Sequence, residues 1–331
     1  MNIDVIAPNW LGDAVMSLPA LAALRARHPD AALHVYARRG VAPVYELTQL
    51  GLRVSPLPEP PSLRVGRASG DVMAIFPNSF YSALVGMALR GKRRSGYARD
   101  RRSWLLQQAI APPGANEIRS HESNYYLELL RRSGLVERLP EGEQPVMLYP
   151  PAAIVAGWRE RFAGAPLVAV HVGATFGTAK RWLPERFAAI AAQCVARGWQ
   201  VAFIGGKGER ELAEQVRVQG GGGGVNLAGE TNLTELIGLL AASSALVAND
   251  SGPMHLAAAV GTPVVALFGS TNHRETYPLA EHGRMRLLRV EGVACSPCKL
   301  RDCPIDHRCM TRLEVATVWQ ALQDMLESAH D

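Results

Sequence analysis

The chain has 331 residues, enough for two domains of about 150 residues, each with its own core. Hydrophobic residues make up 48% of it, yet no apolar run approaches the roughly 20 residues needed to cross a bilayer, which excludes a helical membrane-spanning protein. The formal charge is +5 and gathers in residues 90–102 and 131–138; such clusters attract nucleic acid, anionic membrane surfaces or phosphorylated substrates alike, or are a solvated face.

The sequence has neither the aromatic-and-basic interleaving of an RNA-binding sheet nor recognition-helix or zinc-finger spacing, so no nucleic-acid partner is expected. The opening MNIDVIAPNW lacks the basic segment and long apolar stretch of a secretion signal, and a cytoplasmic protein is expected. Residues 4–7 read as a buried strand, 8–13 as a loop and 14–27 as a helix. Asp13, directly after Gly12, sits at the expected helix start. A carboxylate there either accepts a proton from a hydroxyl nucleophile or complements the helix dipole, and local sequence favours the second.

Apolar runs at 33–36, 54–57 and 72–76 alternate with helical patterns at 41–49 and 79–89, the signature of a parallel βαβ sheet. A further helix is expected over 121–132. Residues 139–145 and Pro150-Pro151 are rich in Pro and Glu and have little to bury, which puts the boundary between the two domains, 1–150 and 151–331, near residue 150.

A second βαβ series follows, with a strand at 167–172, a loop at 173–182 and a helix at 184–197. The strand 201–204 leads through Gly205-Gly206-Lys207-Gly208 into a helix, and another helix spans 232–242. Five consecutive glycines, 220–224, read as a flexible surface loop that fixes no geometry. The loop HVGATFGTAKRW carries Thr175, Lys180 and Arg181. Cations on a glycine-containing loop suit a diphosphate, with Lys180 foremost, although a solvated lysine explains the pattern equally. Glu209 could accept hydrogen bonds from a ribose; an exposed glutamate at a helix start is the simpler description.

The strand 244–248 ends in NDSGPMH and turns straight into the helical LAAAVG, with the buried strand TPVVALFGS after it. Free N–H groups and a positive dipole end at such a turn suit a phosphate, which makes Asp250, Ser251, Gly252 and His255 candidates beside a nucleotide. An ordinary turn, with Asp250 as helix cap and His255 facing the core, fits as well. An amphipathic helix at 313–329 closes the chain.

Cys194 lies apart on the helix expected at 184–197, while Cys295, Cys298, Cys303 and Cys309 surround His307 with the spacing C-x2-C-x4-C-x5-C. In a reducing compartment these are a structural metal site or inert thiols, rather than disulfides.

Taken in order, NWLGDAVMSLPAL, NSF, GYARD, GATFGTAKRW, NLAGETNL and NDSGPMHLAAAVGTPVVALFGST make the chain resemble glycosyltransferase family nine, the bacterial heptosyltransferases of lipopolysaccharide inner-core synthesis. CSPCKLRDCPIDHRCM is similar to a feature of some members only. The resemblance implies the GT-B fold, an α/β architecture of two doubly wound Rossmann-like domains with parallel sheets facing a central cleft. The first domain would bind the acceptor and the second the ADP-sugar. Asp13 would be the general base, and Lys180 would hold the diphosphate with Thr175. Glu209, Asp250, Ser251, Gly252 and His255 would complete the nucleotide-sugar site, and Asn9, Gly12, Asn78, Ser79 and Arg99 the acceptor site.

Phe176 follows Thr175 where members that add the first heptose have a second hydroxyl residue, which favours addition of the second heptose. The implied reaction is inverting transfer of L-glycero-D-manno-heptose from ADP-heptose to the first heptose of a Kdo-lipid A inner core. No cofactor or catalytic metal is implied, and the cysteine cluster is a candidate structural metal site only. Residues 90–102 would face the phosphorylated acceptor or the inner membrane leaflet that carries it. A nucleotide-sugar 2-epimerase, or a nucleotide-binding module docked at a membrane, would share the architecture.

Overall fold

The computed structural model describes residues 1–57, 70–114, 116–142 and 144–327. The chain divides into two compact units, Met1–Tyr149 and Pro150–Asp331. In the first, β1 (Asn2–Ile6), β2 (Ala32–Arg38), β3 (Leu52–Leu57), β4 (Val72–Ile75), β5 (Arg94–Tyr97) and β6 (Gln108–Ile110) form one sheet in the order β3-β2-β1-β4-β5-β6. Every pairing is parallel. A parallel sheet is covered on both faces, and the central strands are accordingly mostly apolar: Ile3, Val5, Ile6, Met73, Ala74 and Ile75 are all buried, and β1 also buries Asp4, which accepts the Gly70 amide at 2.7 Å. The connecting helices are α1 (Leu11–Met16), α2 (Leu18–Arg27), α3 (Ala42–Glu46), α4 (Phe80–Ala88) and α5 (Glu122–Arg132).

The second unit repeats this plan. Its strands are β7 (Leu167–His171), β8 (Gln200–Ile204), β9 (Val225–Asn226), β10 (Ala245–Asn249), β11 (Val264–Leu267) and β12 (Met285–Leu288). They form a parallel sheet in the order β12-β11-β10-β7-β8-β9. Its helices are α6 (Ala152–Arg161), α7 (Pro184–Ala196), α8 (Arg210–Gln219), α9 (Leu233–Ala242), α10 (Gly252–Ala259), α11 (His273–Thr276), α12 (Arg308–Thr311) and α13 (Val315–Glu327). Trp182, Phe187, Phe203, Val318 and Leu322 form its core. In each unit the strand order reverses between the first and fourth strands, so a crevice opens where β1 meets β4 and another where β7 meets β10. Among the described residues, no helix is long and apolar enough to cross a membrane.

Several elements depart from the sequence expectation. The chain becomes helical at Leu11, not at residue 14, and breaks at Ser17, whose Oγ donates to Ala14 O at 2.7 Å. Helix α3 is one short turn rather than nine residues. Strands β5, β6, β9 and β12 and helix α6 were not foreseen. RSGY in β5 has one large apolar side chain, so no run announces it. Helix α6 buries no residue completely; Gly238 on α9 lets Ile154 approach, since a Cβ there would meet Ile154 Cγ2 at 2.5 Å. The last two residues of the expected C-terminal helix lie outside the described residues.

The glycine run is also a correction, because it holds a defined course. Gly221, Gly222 and Gly224 have φ of +89°, +78° and +77°. A Cβ on Gly224 would come within 2.7 Å of Val201 O. Left-handed backbone and close approach both demand glycine here.

Candidate active site

In the second unit, the site begins with a fully buried side chain at the end of β10. Asn249 Oδ1 accepts the Trp182 amide at 2.8 Å, and its Nδ2 donates to Val172 O at 3.0 Å and Gly173 O at 3.2 Å. These bonds clip the 173–182 loop to the strand and fix where Lys180 stands. Lys180 Nζ donates to Asp250 Oδ2 at 2.8 Å and lies 5.3 Å from the Phe176 ring centroid, within cation–π range. Asp250 is buried and also accepts from Thr271 Oγ1. It aims the lysine and does not cap α10. The cap is Ser251, whose side chain makes no capping bond.

Ser251 Oγ instead lies 2.9 Å from His171 Nδ1, and His171 Nε2 lies 3.2 Å from Glu209 Oε2. Glu209 is thus not the exposed helix-start glutamate expected; its side chain turns inward and also accepts the Gly206 amide at 2.8 Å. Burial opposes its ionisation, but the His171 hydrogen bond and charge, the Gly206 amide and Arg181 outweigh it, and the carboxyl sits below its ordinary range. A Cβ on Gly173 would meet Glu209 Oε1 at 1.7 Å, so that glycine makes room for the carboxylate. His171 was not singled out in the sequence, where it is only the polar end of the apolar strand LVAVH. Thr175 is exposed on the loop, Gly252 opens α10, and His255 is buried one turn into it. Lys180 and the α10 N-terminus together form a surface suited to a phosphate anion.

The cysteine segment has a different role from the metal site considered above. All five cysteines are free, and among the described residues no group of three His, Cys, Asp or Glu could hold a metal. The segment braces the lysine loop. Arg301 O accepts the Ala179 amide at 2.9 Å, Arg301 Nε donates to Phe176 O at 2.8 Å, and Thr178 Oγ1 donates to Asp302 Oδ1 at 2.6 Å. A Cβ on Gly177 would meet Arg301 O at 2.1 Å, so the two backbones are in direct contact. Burial, reinforced by the other three thiols, pushes Cys309 up to about 11 and keeps it an inert thiol at neutral pH.

In the first unit, Asp13 lies in the first turn of α1, just beyond the carboxyl end of β1. Burial raises the buried phenols Tyr45 and Tyr126, and the negative charge of Asp13 contributes to both shifts. Asn9 and Ser79 line one pocket with Arg38, Pro77 and Tyr81. The half-buried Arg38 guanidinium makes no hydrogen bond or ion pair with another described residue, while the Arg38 carbonyl accepts the Val41 amide at 3.0 Å. Asn78 Nδ2 donates to Tyr125 OH at 3.1 Å; burial raises this phenol, and the Asn78 hydrogen bond and the charge of Arg99 offset part of that rise.

Arg102, fully buried, ties the GYARD and NSF segments together. Its Nε donates to Tyr97 O at 3.0 Å and its Nη1 to Ser82 Oγ at 2.8 Å and to Pro77 O. Burial lowers it to about 10, so it stays charged at neutral pH. The basic segment is therefore not a continuous free patch. Arg102 is interior, Arg94 donates to Leu105 O, and Lys92 pairs with Asp71, which leaves Arg90, Arg93, Arg99 and Arg101 exposed.

The pattern of glycosyltransferase family 9 (heptosyltransferase) matches residues 64–308. The chain belongs to this family. The glycosyltransferase is 31% identical over 308 residues to lipopolysaccharide heptosyltransferase 2 of Salmonella typhimurium, covering 86% of this chain and 87% of that protein. It is 30% identical over 314 residues to lipopolysaccharide heptosyltransferase 2 of Escherichia coli, with 86% and 87% covered. The structure of Escherichia coli ADP-heptose LPS heptosyltransferase II matches it with a TM-score of 0.85 at 28% identity, over 100% of both chains. Its two doubly wound parallel sheets are those of the GT-B class.

Proposed function

We propose that this glycosyltransferase moves L-glycero-D-manno-heptose from ADP-heptose to the first heptose of a Kdo-lipid A inner core, with inversion at the anomeric carbon. The Met1–Tyr149 unit binds the acceptor and the remainder binds the ADP-sugar. The acceptor hydroxyl attacks the anomeric carbon while its proton passes to Asp13. The bond from that carbon to the β-phosphate oxygen breaks, and its electron pair leaves with ADP. Lys180, aimed by Asp250, neutralises the charge that grows on the diphosphate; Thr175, Ser251, Gly252 and the α10 N-terminus hold its oxygens, with His255 beside them. Glu209 holds the ribose. No cofactor enters the scheme.

The Lys180–Asp250 pair beside the start of α10 carries this reading, because it fixes a cation next to a helix N-terminus that favours an anion. Asn9, Gly12, Asn78, Ser79 and Arg99 hold the acceptor. Addition of the second heptose is supported by Phe176, a ring where first-heptose members have a hydroxyl. The enzyme works in the cytoplasm, with Arg90, Arg93 and Arg101 turned to the phosphorylated acceptor at the inner leaflet.

Purified enzyme given ADP-heptose and defined acceptors tests the proposal. ADP release that requires heptosyl-Kdo-lipid A, with a product one heptose heavier, is expected. Transfer to Kdo-lipid A lacking heptose would reassign the acceptor, and a sugar isomer formed without acceptor would make the protein an epimerase.

A further inference from the structure

We infer that Arg38, with Asn9 and Ser79, forms an anion subsite that takes an acidic oxygen group of the acceptor, a carboxylate or a phosphate. This rests on the acceptor reading above and deepens it by assigning a chemical group to a pocket. Arg38 ends β2, Asn9 follows β1 and Ser79 follows β4, so all three stand at the carboxyl ends of the first unit's strands, where an open parallel sheet binds its ligands. They line one pocket of about 390 Å³, mouth included, whose walls Ile6, Leu57 and Val85 are apolar. Among the described residues, no acid lines it.

A guanidinium is always charged and presents a planar fork of donors. The Arg38 fork is half-buried, yet it bonds no other described residue. Drawing a charge part-way out of water without a counter-ion costs free energy that nothing else in the pocket returns, and an entering anion returns it. The other two residues add donors. Ser79 Oγ accepts the Ser82 amide at 3.2 Å, and its own proton goes to no described residue; the exposed Asn9 amide bonds none either. Arg102 donates to Pro77 O and Ser82 Oγ, so a second, buried guanidinium stands against the same lining. A positive pocket whose free groups are donors selects anionic oxygen, and a neutral sugar would leave Arg38 without its counter-charge.

Heptosyl-Kdo-lipid A carries acidic oxygens of two kinds, the carboxylate of its sugar acid and the phosphates of lipid A. A cycle of enzyme variant against acceptor distinguishes them. The parent and Arg38→Gln are compared in steady-state transfer to three acceptors: the intact one, one with the Kdo carboxyl reduced to an alcohol, and one with the lipid A phosphates removed. A subsite away from the reacting atoms holds substrate and transition state alike, so the effect should fall on acceptor KM with kcat and ADP-heptose affinity unchanged. Arg38→Gln should raise the KM of the intact acceptor about tenfold, the equivalent of one hydrogen bond to a charged group. Removing the partner group from the acceptor should cost the parent a similar factor, and on that acceptor the variant should lose nothing further.

Non-additivity with the carboxyl-reduced acceptor places the sugar acid in the subsite, and non-additivity with the dephosphorylated one places a phosphate there; either supports the inference. A variant that loses the same factor on all three acceptors, or loses nothing, overturns it. If Arg38→Gln fails to fold, the cycle is run with Arg38→Lys, which keeps the charge but not the bidentate fork, and the same two results overturn the inference. A parent enzyme that transfers heptose to none of the three overturns the acceptor reading instead.

Discussion

In the proposed reaction Lys180 touches the leaving group before and during bond breaking, so its loss should be felt in both binding and turnover. Lys180→Ala is expected to weaken ADP at least tenfold by calorimetry and to lower turnover further, because Asp250 is left buried without its cation. Arg38 has the opposite profile. As a half-buried guanidinium on the pocket of Asn9 and Ser79, it suits an acidic group of the acceptor. Arg38→Ala should raise the acceptor KM about tenfold in steady-state kinetics while ADP affinity stays unchanged. Asp13, Lys180 and Asp250 could be singled out in the sequence because each sits in a loop with glycines and a helix start, although a dipole-complementing carboxylate, a solvated lysine and a helix cap fit the same patterns. His171, Arg38 and Arg102 were not, because their meaning lies in partners far along the chain: Ser251 for the first, a pocket for the second, and two loop carbonyls for the third.

At the scale of elements, two buried polar devices hold the Met1–Tyr149 unit in shape. Arg102 joins β5 to the start of α4, and Arg102→Met should leave its carbonyl partners unsatisfied, costing about 2–4 kcal/mol in denaturant unfolding. Glu128 on α5 is held below the usual carboxylate range first by its hydrogen bond to Arg131 and also by Arg132. A lowered folded value means the stabilisation is present above the unfolded pKa and disappears as pH falls through the folded one. Glu128→Gln should therefore melt lower than the parent at pH 7, and the two should converge below about pH 4 in a thermal melt series. The apolar central strands could be read from the sequence because burial on both faces leaves continuous runs. Polar β5 and the superficial helix α6 could not, since neighbours rather than their own composition place them. The glycine run misled for a related reason: its positive φ values and the approach of Gly224 to Val201 are set by the packing of β8 and α8.

At the scale of the molecule, one sheet order occurs twice, and each copy has its candidate residues at the reversal: Asp13, Asn78 and Ser79 after β1 and β4, and His171, Asp250 and Ser251 at or after β7 and β10. That alternation of strand and helix was the strongest signal in the sequence, and the matching family motifs fall on the same loops. The cysteine segment carried a less legible message. Four thiols within fifteen residues suggest a metal site, whereas the segment clamps the lysine loop through the Arg301 carbonyl and the Asp302 carboxylate. The proposed reaction as a whole rests on Asp13 as the general base and on Lys180 with the α10 N-terminus as the anion-holding set. The most direct test is Asp13→Ala, assayed for ADP-heptose affinity and for single-turnover transfer to heptosyl-Kdo-lipid A. The account predicts affinity within about twofold of the parent and a transfer rate lower by roughly 10²–10⁴, the usual contribution of a general base. A variant that transfers heptose at a near-parental rate would contradict it.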